Sequence, residues 1–337
     1  MTRKLKTFSA AVLYASALVG LAGTEQTWEQ KMLAAAQLQR VGNHAEAKTV
    51  LLGALKEAEG FAPEDPRRAL TLNRLGSAYQ DLGRLREAEK FYQRSLSAWE
   101  KIFGADHPGL ARPLSSLVSL YLEDGQYAKA ERLLRRSLTL RGKALGPTDP
   151  ERAFLLHNLA ALYHAQRKYS EAEPLYRQAL ADLETKLGPE DPDVARLLNN
   201  LALLCTKTGR HAEAVSYHQR ALSIWVKWSG PDHPNVARAL SNLAALYRLQ
   251  GRPAEAEPLF KRALAIVENA LGPENPLAGK ILAEYAVLLR QTKRKAEAKS
   301  FEKRAQAIRE SHANDNLDRH TIDLEDLLTV RDKRSAK

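Results

Sequence analysis

Apolar residues along the chain return every three or four positions, in long blocks. Val194, Leu198, Leu201, Ala202 and Cys205 fall on one helical stripe, the spacing of a face turned toward a core. Ala214, Tyr217, Ala221 and Leu222 mark a second helix just after it. No segment shows the two-residue alternation of a half-buried strand, so an all-α chain is expected. One short loop punctuates the blocks: Gly104-Ala105-Asp106-His107-Pro108, Gly146-Pro147-Thr148-Asp149-Pro150, Gly188-Pro189-Glu190-Asp191-Pro192, Gly230-Pro231-Asp232-His233-Pro234 and Gly272-Pro273-Glu274-Asn275-Pro276. Pro63-Glu64-Asp65-Pro66 is an earlier, degenerate copy. The closing prolines stand at 66, 108, 150, 192, 234 and 276, each 42 residues from the last, and eleven of the fifteen prolines sit in these loops. The intervals between them are free to be helical.

The loop has a physical reading. Its glycine accepts the left-handed conformation that ends a helix. Asp65, Asp149, Asp191 and Asn275 stand where an N-cap oxygen is needed, with proline at the first helical position. His107 and His233 are weaker caps at the same place. A second break lies inside each unit, at Gly42, Gly83, Gly125, Gly209 and Gly251. Arg167 and Lys293 occupy that position instead, and a positive φ there would cost each about 1 kcal/mol. Each unit therefore reads as helix A, a tight turn and helix B. Ser170 with Glu173 predicts a capping box opening helix B of the fourth unit. Ala88, Ala130, Ala172, Ala214, Ala256 and Ala298 recur at one helix B position, where small side chains let helices approach closely. Tyr79, Tyr121, Tyr163 and Tyr247 recur on helix A, with Cys205 and Leu289 in their register.

Leu243-Ala244-Ala245-Leu246-Tyr247, then Gly251, then Ala254-Glu255-Ala256-Glu257-Pro258-Leu259-Phe260 and Arg262-Ala263-Leu264 resemble the consensus of the tetratricopeptide repeat, in the 42-residue form of kinesin light chains and related bacterial proteins. The resemblance spans about residues 24–310. It implies an all-α, right-handed superhelical α-solenoid of about seven helix-turn-helix repeats, at 24–65, 66–107, 108–149, 150–191, 192–233, 234–275 and 276–310. Atypical end units are expected of such arrays, and Glu302 stands where most repeats place Tyr, Leu or Phe. The family is defined by its scaffold and not by a chemistry.

Residues 1–23 differ from the rest. Arg3, Lys4 and Lys6 precede an uncharged run of mostly Ala, Leu and Val, the pattern of a secretory signal with cleavage near Ala22 or Gly23. An uncleaved membrane anchor is the alternative. The chain is expected to be exported, to the periplasm or beyond. The 337 residues carry Lys+Arg 51 against Asp+Glu 40, a net charge of +11. Removing the first segment leaves +8, a balance that favours acidic partners. One cysteine, Cys205, excludes an intramolecular disulfide and a thiolate zinc cluster. No phosphate loop, His-Glu-x-x-His or Gly-x-Ser-x-Gly occurs, so a non-enzyme without cofactor or metal is expected. His157, His164, His211 and His218 read as surface or cap residues. The basic runs Arg132/Arg135-Arg136 and Lys293-Arg294-Lys295 read as solvated faces, and Trp228 as exposed. Residues 311–337 form a charged tail, in which the acidic and apolar Ile322–Leu328 stretch complements a basic groove.

In a solenoid of paired helices the A helices line the concave side. The 42-residue step aligns Asn158, Asn200 and Asn242, with Asn73 one residue earlier in its unit, and a second row of Arg112, Arg196, Arg238 and Lys280, broken by Phe154. Asparagine is a poor interior helix residue, and its amide offers both a donor and an acceptor to an extended peptide backbone. In kinesin light chains similar Asn and basic positions grip cargo peptides. The resemblance assigns that role to Asn158, Asn200, Asn242, Arg196 and Arg238, although Ser116 and Glu284 depart from the Asn register. The competing reading is that the asparagines bond a neighbouring helix. The expected partner is an acidic, extended protein segment. A membrane-tethered envelope assembly factor packing through its convex face is the alternative, and nucleic acid is not expected.

Overall fold

The computed structural model describes residues 27–145 and 150–312. The segment read as a secretory signal and all but the first two residues of the charged tail lie outside them. Backbone contacts divide the chain into two compact units, Met1–Ala144 and Leu145–Lys337. Unit 1 holds α1 (Trp28–Arg40), α2 (His44–Ala58), α3 (Pro66–Asp81), α4 (Leu85–Phe103), α5 (Ala111–Glu123) and α6 (Tyr127–Leu145). Unit 2 holds α7 (Pro150–Ala165), α8 (Tyr169–Leu187), α9 (Pro192–Lys207), α10 (His211–Ser229), α11 (Pro234–Leu249), α12 (Pro253–Leu271), α13 (Pro276–Gln291) and α14 (Lys295–Ser311). Odd-numbered helices are the A helices. Among the described residues there is no strand, and no helix is long and apolar enough to cross a membrane.

The helix starts follow the loop chemistry. Asp65, Asp191 and Asn275 accept through their side-chain oxygens from the backbone N–H two residues on, at 2.9, 2.8 and 2.9 Å. His233 does the same through Nδ1 at 3.2 Å. Repeat three differs. His107 caps Gly109 at 3.0 Å, but the chain makes a 3₁₀ turn, Pro108–Leu110, before α5 begins. Gly109 disfavours a helix, and Pro113 has no N–H to give its carbonyl. The capping box expected at Ser170 is not formed. The helix α8 starts earlier, from Lys168 without a side-chain cap, and Glu173 takes Arg210 and Arg177 instead. A capping box does open α1, where Thr27 and Gln30 bond reciprocally.

Two kinds of glycine shape the chain. The inter-repeat Gly188 has φ 92° and ψ 158°, a region open essentially to glycine alone, and not the left-handed helical conformation expected there. The intra-repeat position is left-handed, and Arg167 and Lys293 are forced into it with φ 63° and 65°.

The predicted stripes are the core. All six alanines of the helix B row are fully enclosed, and Tyr79, Tyr121, Tyr163, Tyr247, Cys205 and Leu289 are buried. Burial raises the pKa of the Cys205 thiol. Polar links join neighbouring repeats within each unit. Arg136, Arg220 and Arg304 each pair with the glutamate ending the previous B helix, Glu100, Glu184 and Glu268, at 2.6 Å. The same guanidinium groups donate to the loop carbonyls of Ala105, Pro189 and Pro273 at 3.0, 3.1 and 2.8 Å. Arg210 and Arg294 reach Glu173 and Glu257 of the preceding repeat, both at 2.7 Å. Hence Arg136 and Arg294, read from sequence as solvated, are structural. Between repeats five and six both carboxylates are replaced: Val215 stands in the Glu173 register and Val226 in the Glu184 register. Both valines pack, with Leu222 and Trp225, against the core of repeats six and seven. In unit 2 an apolar seam thus lies between two charged ones.

Candidate functional site

Within each unit successive A helices touch one another, and a ladder of side-chain bonds crosses between them. In unit 1, Asn73 Nδ2 donates to Ser116 Oγ at 3.3 Å and Gln80 Nε2 to Glu123 at 2.6 Å. In unit 2, Asn200 Nδ2 donates to His157 Nε2 at 2.6 Å and Asn242 Nδ2 to Asn199 Oδ1 at 2.9 Å. Each of these links spans 43 residues, one repeat plus one position, so the A helices are staggered by a residue at the contact. Of the three aligned asparagines, Asn158 and Asn242 are half-buried on α7 and α11, while Asn200 on α9 is only 3 % exposed. The amides of Asn73, Asn200 and Asn242 therefore spend at least one donor on a neighbouring helix.

The basic row lies on the same helices. Arg196 and Arg238 are half-buried on α9 and α11, and Lys280 is exposed on α13. The side chain of Arg112 lies outside the described residues. Arg196 donates to Asp193 at 2.8 Å, and its guanidinium lies 5.6 Å from the ring centre of Phe154. The phenylalanine that interrupts the row in sequence thus supports it in space. Burial pushes the Asp193 carboxyl above its usual range, against the pull of Arg196. Seven residues further along the same helices stand Leu203, Ala245 and Val287, half-buried, half-buried and exposed, with exposed Leu249 beside them. Glu284, which breaks the Asn register, pairs with Arg248 at 3.0 Å. Val287 and the Arg248–Glu284 pair were not singled out from sequence, yet the 42-residue register marks both positions.

Sequence reasoning misjudged the histidines. His157, His164 and His218 are buried, not surface caps. Among the described residues no group of His, Cys, Asp and Glu could hold a metal ion. Trp228 is exposed, as expected, and its ring meets Trp225 and His233 edge-on.

The Tetratricopeptide repeat profile matches residues 67–143, 114–185, 193–269 and 236–311, and a second profile of that description matches 157–225. The chain belongs to the tetratricopeptide repeat family. Kinesin-light-chain-like TPR proteins are among its structural neighbours. BtubC (BKLC) from P. vanneervenii is similar at 25% identity and TM-score 0.59, over 74% of this chain and 94% of that one. A putative kinesin light chain from P. anserina, with nearly identical TPR-like repeats, is similar at 26% identity and TM-score 0.51, over 63% and 99%. A TPR protein from Parabacteroides merdae shares the fold at 18% identity and TM-score 0.61, over 91% and 99%. No curated protein matches the sequence. The TPR fold is typical of protein–protein interaction scaffolds, and the family generally binds protein partners and is generally non-enzymatic.

Proposed function

We propose that this TPR protein is an exported scaffold whose A-helix face in unit 2 grips an extended, acidic segment of a partner protein. The observation that carries this reading is the aligned row Arg196, Arg238 and Lys280 on α9, α11 and α13. Neighbouring A helices at about 10 Å match about three residues of an extended chain. A ligand carboxylate can thus meet one cation per repeat, with Leu203, Ala245 and Val287 offering apolar contact alongside. The asparagine ladder holds the floor of this face, and the amide capacity left on Asn158 and Asn242 remains for the ligand backbone.

The test is charge reversal at the exposed end of the row. Lys280→Glu should weaken binding of an acidic peptide, selected from a random library on the wild-type chain, by about threefold to tenfold. A thermal melt of the variant checks that the fold is kept. Unchanged affinity for Lys280→Glu together with Arg238→Glu would remove the row from the site. Export rests on the basic start and uncharged run of residues 1–23, and α1 is anchored just beyond them. Trp28 donates from its backbone to Glu57 and from its indole to Thr71, at 2.9 and 2.8 Å. Cleavage near Ala22 or Gly23 leaves those contacts whole. Mass spectrometry of the mature protein should find Thr24 or a neighbour at the N-terminus, whereas an intact Met1 would favour the membrane-tethered alternative.

A further inference from the structure

The buried polar groups of unit 2 are unevenly placed. Of the described histidines, the three that are buried all lie in repeats four and five: His157 and His164 on α7, His218 on α10. Repeats six and seven hold none; in the register of His218 stands Phe260, stacked on Tyr285 at 5.5 Å. Repeat four also replaces a pair of core positions. Val194 with Ile224, and Val236 with Ile266, are buried at registers that in repeat four hold Arg152 and Asp182, which form an ion pair at 2.6 Å.

His164 is 2 % exposed, and neither ring nitrogen has a hydrogen-bond partner. Tyr169 of α8 meets it edge-on at 5.2 Å and Tyr176 lies 6.4 Å away. The charge acting on it from α9 is Lys207, which repels an imidazolium. His218 is 1 % exposed, with Nδ1 unpartnered and no charged group acting on it. His157 is tied to Asn200 through Nε2. A proton on that nitrogen would face the Asn200 amide hydrogens, so the amide would have to turn over.

We infer that acid opens repeats four and five before repeats six and seven, with the buried imidazoles of His164 and His218 as the groups that take up the protons. Neither nitrogen of His164 has an acceptor, nor has Nδ1 of His218, so both rings take a proton more readily when the helices part. Burial pulls both groups from 6.5 to about 4, helped at His164 by Lys207. A histidine lowered in this way binds its proton in the open form first, so opening gains as pH falls below 6.5 and stops gaining near 4. At pH 5 the opening constant rises about thirtyfold per imidazole. Asp182 works in the other direction. Burial raises its carboxyl, so the closed form takes that proton more readily and moderates the effect at the acid end.

Hydrogen–deuterium exchange of the full chain at pH 7.5 and pH 5.0, corrected for the intrinsic pH dependence of exchange, tests this. Amides of α7–α10 should open at least about thirtyfold more at pH 5.0, with those of α11–α13 little changed. His164→Gln supplies the neutral side chain that repeat two carries in this register, where Gln80 accepts from Tyr92 at 2.9 Å. It should remove most of the acid response of α7 and α8. His218→Phe, the residue type of repeat six at this register, should do the same for α10. Opening of α11–α13 as readily as α7–α10 at pH 5.0 would overturn the inference, as would an unchanged response in both variants. Imidazole proton resonances of the wild-type chain provide a reading that needs no variant: midpoints near 6.5 for His164 and His218 in the folded protein would equally refute it.

Discussion

At the level of single residues, the chain carries strain where its own pattern lapses. Arg167 and Lys293 hold a left-handed backbone that Gly83, Gly125, Gly209 and Gly251 adopt without cost. Arg167→Gly and Lys293→Gly should each stabilise the fold by at most about 0.5 kcal/mol, the entropy that glycine adds to the unfolded chain offsetting much of the relieved strain. A rise in the urea midpoint at constant slope would show it. Gly76 is the reverse case. A Cβ built there would sit 2.4 Å from the Tyr92 ring, at a register where other repeats place Val or Ala. Gly76→Ala should therefore cost about 1–3 kcal/mol by overpacking, read in the same unfolding experiment. Cys205 is enclosed, and burial disfavours its thiolate. It should resist alkylation until the chain is unfolded.

At the level of helices and their junctions, the sequence was legible wherever one side chain settles a local choice. Asp191 and Asn275 cap as their position demands, and the alanine row is enclosed as its size demands. Ser170 was misread because a serine near a helix start can serve as a cap or sit in the first turn. The backbone decides between these, and here the helix begins one residue before it. The arginine clamps were missed for a different reason. Arg220 is neighbour to Glu184 and Pro189 only after repeats stack, so no window of one repeat contains the interaction. Arg304→Ala should release the Pro273 loop and Glu268 together. Its expected cost is about 1 kcal/mol for a partly exposed pair, smaller at high salt. Thermal melts of wild type and variant at low and high salt should converge.

At the level of the whole molecule, the repeat architecture and the family were written plainly in the 42-residue spacing, whereas the candidate face was only half visible. Periodicity aligned Asn200 with Asn158 and Asn242, but could not reveal that the one-residue stagger of adjacent helices hands its amide to His157. The basic row is less constrained by such a stagger than the amide row, because a long flexible cation can leave a groove floor that an asparagine cannot. A ligand held across α9, α11 and α13 would also brace repeat five against repeat seven. Bound acidic peptide should then slow exchange in α9 and α10 at pH 5.0, an effect measurable by the same labelling experiment.

The apolar seam between repeats five and six carries a lesson for anyone who would shorten this protein. A chain stopped after repeat four or repeat six would bare Glu173 with Glu184, or Glu257 with Glu268, beside the apolar residues of that face, and should stay better dispersed in buffer. One stopped after repeat five would bare Val215, Leu222, Trp225 and Val226, an oily end with nothing to cover it, and should self-associate. Within unit 2, the end of repeat five is the stopping point to avoid.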